Sequence, residues 1–350
     1  MGSDVHSMTG RERVLAVLAG QKPDHLPFMP ITMMFAADIL GVKYGQYARD
    51  HKIMADAQVK TAGIFGFDHV SAIGPPAASA DLGTKIQWFE DQPPAKVEDE
   101  ALFANKSVLN RMKDPHPSFG KCMEDILRGL ELMRRRAGQE LIVEGWVEGP
   151  CAGAADLRGI NRLMLDFSDD PGFVRDLFDF TLESSARFAA AQIDAGADII
   201  GVGDAAASLA GPRIYKELIW PWEKKLVDAI HAKGAKVRLH ICGNTRRILS
   251  SIAELGCDIV DIDFPVPLEQ ARMQMGSLQT LTGNLDPVRE VRNGSPRTIT
   301  ESLEALQYHA GERWVVAAGC EIVRDTPHDN LRAMMKFAQT HGDNCGHAKA

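Results

Sequence analysis

Short apolar runs rich in β-branched residues recur along this 350-residue chain, separated by longer stretches with helical periodicity. Such an alternation has few solutions, because parallel strands joined by helices must be covered on both faces or close on themselves. The runs fall at 26–31, 69–73, 141–147, 197–204, 236–240, 258–262, 278–282 and 314–318, with helical sequence such as 169–195 and 213–233 between them. Eight βα units predict an α/β fold of the (β/α)8 TIM-barrel type, one domain over 1–350. An N-terminal helical extension precedes the first strand: Thr9 and Glu12 form a capping-box pattern ahead of Val14, Leu15, Val17 and Leu18, and Gly20 ends it. Glycine and proline signals around Lys85–Glu90 place a β-hairpin insertion at 80–97, and residues 1–8 and 343–350 are expected to be flexible tails.

Charge and cysteine usage narrow the function classes. Forty-seven acidic against 39 basic residues give a net charge of -8, which argues against a nucleic-acid surface. Neither a long apolar segment nor a signal-like apolar core is present, so no membrane partner is expected. The six cysteines lack the dense spacing of a secreted disulfide scaffold. Reduced thiols and a cytoplasmic location are the expectation.

Two of the apolar runs end on metal-ligand chemistry. His240 and Cys242 lie two apart at the end of the fifth run, so both side chains point to one side of an extended strand. Cys320 follows the eighth run, and the barrel brings both strand ends to the same face. Cysteine is also a common small core residue, but a third ligand at a second strand end, followed by Glu321, favours a metal site. An imidazole and two thiolates form a zinc-like set, and three protein ligands leave the fourth position open, as in catalytic sites.

The same face should carry Glu148, Asp204, Asp263, Asn284 and Asp286. Asp286 before Pro287 reads as a helix cap. Glu148 and Asp204 are the candidate catalytic carboxylates, holding the open metal position or orienting a water or the acceptor. Met33, Trp146, Asn244 and Asn284 are the candidate substrate-binding residues, with the Met33-Met34-Phe35 cluster at the mouth, although methionine and phenylalanine equally serve as core filler.

The segments RERVLAVLAGQKPDHLP, GPCAGAADLRG, LHICGN, LTGNLDPV and AAGCEIVRDTPHDNLRAM together resemble the uroporphyrinogen decarboxylase superfamily over essentially the whole chain. Within it, His240, Cys242 and Cys320 match the zinc motif of the methylcobamide:coenzyme M methyltransferases. The decarboxylases themselves carry an arginine-rich RQAGR-type stretch after the first strand for their polycarboxylate substrate; here that place holds Ile31-Thr32-Met33-Met34-Phe35-Ala36-Ala37, without arginine.

The resemblance implies methyl transfer from a methylcobamide on a separate corrinoid-binding protein, since this chain has no corrinoid-carrying Asp-x-His-x-x-Gly segment. The acceptor would be a zinc-activated thiol such as coenzyme M, and the apolar mouth would face the corrinoid. Two alternatives remain: a different methyl donor (methoxylated compound or methylamine) or tetrahydrofolate as acceptor, and a uroporphyrinogen decarboxylase-like lyase. Oligomeric state is not legible.

Overall fold

The computed structural model describes residues 7–112 and 118–341. Seven parallel strands form one sheet in the order β1 (His69–Ser71), β4 (Ile142–Glu148), β5 (Ile199–Gly203), β6 (Lys236–His240), β7 (Ile259–Asp261), β8 (Thr280–Thr282) and β9 (Trp314–Val315). The expected hairpin insertion contains an antiparallel pair, β2 (Ile86–Gln87) and β3 (Ala95–Lys96), although its first residues belong to the helix Ala77–Asp81.

The run at 26–31, expected as a full strand, is reduced to a single bridge between Phe28 and Val316. Pro27 and Pro30 remove backbone donors on either side, so no continuous ladder can form. The segment still closes the ring. Met29 N–H donates to Val316 O (3.1 Å) and Val316 N–H to Pro27 O (2.8 Å), while Asp68 N–H donates to Phe28 O (3.0 Å) on the other edge.

The barrel interior is layered. Met29, Ile142, Ile199, Ile259 and Val315 form an apolar floor, sealed by Val14 of the helix Gly10–Leu18. That helix starts on the expected capping box of Thr9 and Glu12. Strand alternation turns Val237 and Leu239 of β6 toward the surrounding helices, and Arg238 and His240 inward. On β4 the inward set continues above the floor with Glu144, Trp146 and Glu148. Gly201 lets Trp146 lie across the interior, since a Cβ there would sit 2.4 Å from the indole ring.

The inner charge of Arg238 is fully engaged. It donates to both oxygens of Asp261 (2.9 and 3.1 Å), to Glu144 (3.2 Å) and to Met29 O (3.2 Å). A buried cation is tolerated only when paired in this way, and losing one partner is expensive. No helix among the described residues is long and apolar enough to cross a membrane.

Candidate metal centre and its pocket

His240 closes β6 and Cys242 follows in the next loop, while Cys320 sits beyond β9. Their donor atoms converge. His240 Nε2 is 3.0 Å from Cys242 Sγ and 3.6 Å from Cys320 Sγ, and the two sulfurs are 3.9 Å apart. Zinc bonds of about 2.3 Å to sulfur and about 2.05 Å to nitrogen in a tetrahedron would put two sulfurs about 3.8 Å apart and nitrogen about 3.6 Å from sulfur. Two of the three separations match that geometry, and the third is about half an ångström short of it.

The second nitrogen of His240 is fixed from behind. Nδ1 lies 3.0 Å from Asp261 Oδ2, across the register pair His240–Asp261 of β6 and β7. Donation from Nδ1 to the carboxylate leaves Nε2 as the lone-pair donor toward the cysteines, the usual support of a metal-binding histidine. Burial opposes the imidazolium, but Asp261 and Cys320 outweigh it and hold His240 up to about 10. A hydrogen bond from Cys242, and then one from His240, draw the Cys320 thiol down to about 4 against its burial, while Cys242 is pushed up. Three donor atoms thus compete for protons at one point, the arrangement in which a soft cation replaces those protons.

The loops are held around this point. Asp263 Oδ2 accepts from Gly243 N–H (2.6 Å), which anchors the turn carrying Cys242. Glu321 Oε1 accepts from Met33 N–H (3.1 Å) and Met34 N–H (3.0 Å), tying the Cys320 loop to the start of the helix Met34–Leu40. Burial, and secondarily Cys320, push the Glu321 carboxyl up to about 7.

A cavity of about 250 Å³ opens from His240 and Cys242 and is walled by Met33, Ile73, Ile126, Trp146 and Phe188, with Glu148 on one side. Burial, reinforced by Asp156 and Asp204 and opposed by Lys96, pushes Glu148 up to about 7. Trp146 Nε1 donates to Ser71 Oγ (2.8 Å) and Glu144 (3.1 Å), so the indole is fixed from the charged layer below.

A family model described as uroporphyrinogen decarboxylase (URO-D) matches residues 9–341. The chain belongs to the uroporphyrinogen decarboxylase family. It is 28% identical over 347 residues to the methylcobamide:CoM methyltransferase MtbA of Methanosarcina acetivorans, covering 95% of this chain and 98% of that one. It is 30% identical over 172 residues to a uroporphyrinogen decarboxylase of Streptomyces avermitilis, covering 49% of this chain and 48% of that one. A solved methyltransferase from Methanosarcina mazei has the same fold, with a TM-score of 0.81 at 21% identity over 95% of this chain and 98% of that chain.

Within this family frame the expected site residues separate. His240, Cys242 and Cys320 are together, and Met33, Trp146 and Glu148 line the adjoining cavity. Asp204 is not in it. Its buried carboxylate accepts from Ala152 N–H (2.6 Å) and Cys151 N–H (3.3 Å), capping the helix Pro150–Arg158, and it is hydrogen-bonded to Glu223. Gly149 makes this possible, since a Cβ there would meet Asp204 at 2.5 Å. Asn244 is an exposed turn residue whose Oδ1 accepts from Arg246 N–H (3.2 Å). Asn284 is buried and donates to Val266 O (2.6 Å) and Asp263 O (3.2 Å), so its amide serves the loop and not the cavity. Asp286 caps the turn that follows it, as expected, accepting from Val288 and Arg289 N–H, both at 2.9 Å.

One correction concerns the mouth. Phe35 is buried away from the cavity, against Phe65. Asp261 and Glu321 carry roles not assigned from sequence; for Asp261 the available signal was a carboxylate inside the apolar run at 258–262.

Proposed function

We propose that this chain transfers a methyl group between a corrinoid carried on a separate protein and a small-molecule thiol, with zinc held by His240, Cys242 and Cys320. The observation that carries this reading is the near-tetrahedral spacing of one nitrogen and two sulfurs, with Asp261 fixing the nitrogen that faces them. Relatives named methylcobamide:CoM methyltransferases support the choice of reaction. Bound there, zinc would supply the Lewis acidity that lowers the pKa of an incoming thiol.

The chain's own groups do the rest. Asp261 pairs with Nδ1 of His240, so that Nε2 is the nitrogen turned to the cysteines and to a cation that displaces its proton, and apolar walls including Met33 and Trp146 adjoin Cys242. Glu148, whose carboxyl burial pushes up to about 7, carries less negative charge near neutral pH than an exposed glutamate would. In the transfer the thiol proton leaves to solvent, a sulfur–carbon bond forms and the cobalt–carbon bond breaks, with its electron pair remaining on cobalt. Positioning and nucleophile activation are then the main requirements.

A decarboxylase reading is disfavoured by the cavity itself. About 250 Å³ with neither lysine nor arginine among the described residues that line it does not suit a tetrapyrrole bearing eight carboxylates.

The deciding experiment is metal content with zinc-edge X-ray absorption, with and without added thiols. One zinc per chain with two sulfur ligands, rising to three when a productive thiol is added, is the expected result. An unchanged two-sulfur shell would redirect the reading to a methoxylated or methylamine donor, or to tetrahydrofolate as acceptor. Absence of zinc would overturn it.

A further inference from the structure

The approaches to Cys242 share one chemical character. Among the described residues lining the cavity of about 250 Å³, only Glu148, His240 and Cys242 carry ionisable groups, and none is a lysine or arginine. A second groove leaves the same point, sharing Glu148, Ala205 and Cys242 and running past Ser208 to Lys96. Lys96 is the one cation among the described residues that line it, and it is already ion-paired with Asp156. Arg238, beneath the cavity, is wholly buried and engaged by Asp261 and Glu144.

An anion brought to Cys242 would therefore give up its water without gaining an unpaired cation, and would meet Glu148 and two cysteines. A short apolar body meets the opposite situation, since Ile73, Ile126, Trp146 and Phe188 give it a surface to cover. We propose that the small molecule that reacts at this centre bears its sulfur on an uncharged, apolar body of a few carbon atoms, and that the site discriminates against thiols with an anionic tail. This rests on the methyl-transfer reading above and departs from the coenzyme M acceptor named for the relatives.

The test uses the zinc-loaded full-length protein, with 1-propanethiol and 2-mercaptoethanesulfonate as matched probes. Binding is followed by calorimetry without corrinoid. Transfer is followed separately, by loss of the cobalt–methyl absorbance of free methylcob(III)alamin. The expected result is binding and kcat/KM at least about ten-fold in favour of propanethiol. A78R, which adds a guanidinium to the cavity wall at a residue that is not one of the three metal ligands, should raise sulfonate binding by about ten-fold and narrow or reverse that preference.

Equal or better binding of the sulfonate by the unaltered protein overturns the proposal and leaves the methyl-transfer reading in place. Preferential binding of propanethiol without methylation upholds the proposal and counts against the transfer reading. Binding of neither thiol overturns the proposal.

Discussion

Replacing Asp261 by asparagine isolates the support behind the metal centre. In the native arrangement one carboxylate serves two donors: Oδ2 faces His240 Nδ1 at 3.0 Å, and both oxygens accept from Arg238 Nε at 2.9 and 3.1 Å. An asparagine has one acceptor end, and the buried guanidinium should claim it. The amide N–H2 would then face His240 Nδ1, forcing the proton onto Nε2, where it blocks the lone pair aimed at the cysteines.

The expected loss of zinc affinity is about 10- to 100-fold, or about 1.4 to 2.7 kcal/mol. Stability should fall by a further ~1–3 kcal/mol, because Arg238 keeps Glu144 and Met29 O but loses a charged partner. Competition with a chromophoric chelator measures the first, and urea unfolding in excess chelator measures the second. A folded D261N that binds zinc within two-fold of the unaltered protein would refute the tautomer argument.

C320S should abolish stoichiometric zinc binding while leaving the chelator-treated protein within about 1 kcal/mol of its parent, because Cys320 is only half-buried at the barrel face; metal analysis and thermal melts decide it. E148Q should flatten the pH dependence of stability. With Glu148 raised from 4.5 to about 7, the folded state holds a proton that the unfolded chain has lost, so its contribution is complete below 4.5 and disappears as pH rises through 7. The span is at most about 3 kcal/mol, read from urea midpoints across that range. D204A should cost about 1–2 kcal/mol through the lost helix cap and change KM for thiol little, whereas a KM shift without destabilisation would return Asp204 to the site.

What the sequence determined by itself was local or periodic. Alternation along 236–240 puts Arg238 and His240 on one side of a strand, the capping box at Thr9 starts a helix, and repeated βα units define the barrel and therefore the face that carries the metal ligands. Even the weak first strand was present in principle, since Pro27 and Pro30 already forbid a full ladder.

Direction and partnership needed the tertiary structure. Asp204 and Glu148 look alike as carboxylates after strand ends, yet one turns to the N–H groups at the start of the helix Pro150–Arg158 and the other lines the cavity. Asp261 meets His240 only because β6 and β7 adopt a particular register, and Glu321 reaches Met33 across 288 positions of chain. Local propensity sets which side of a strand a residue occupies; which distant group it meets there follows from strand register and helix packing, energies summed over the whole barrel.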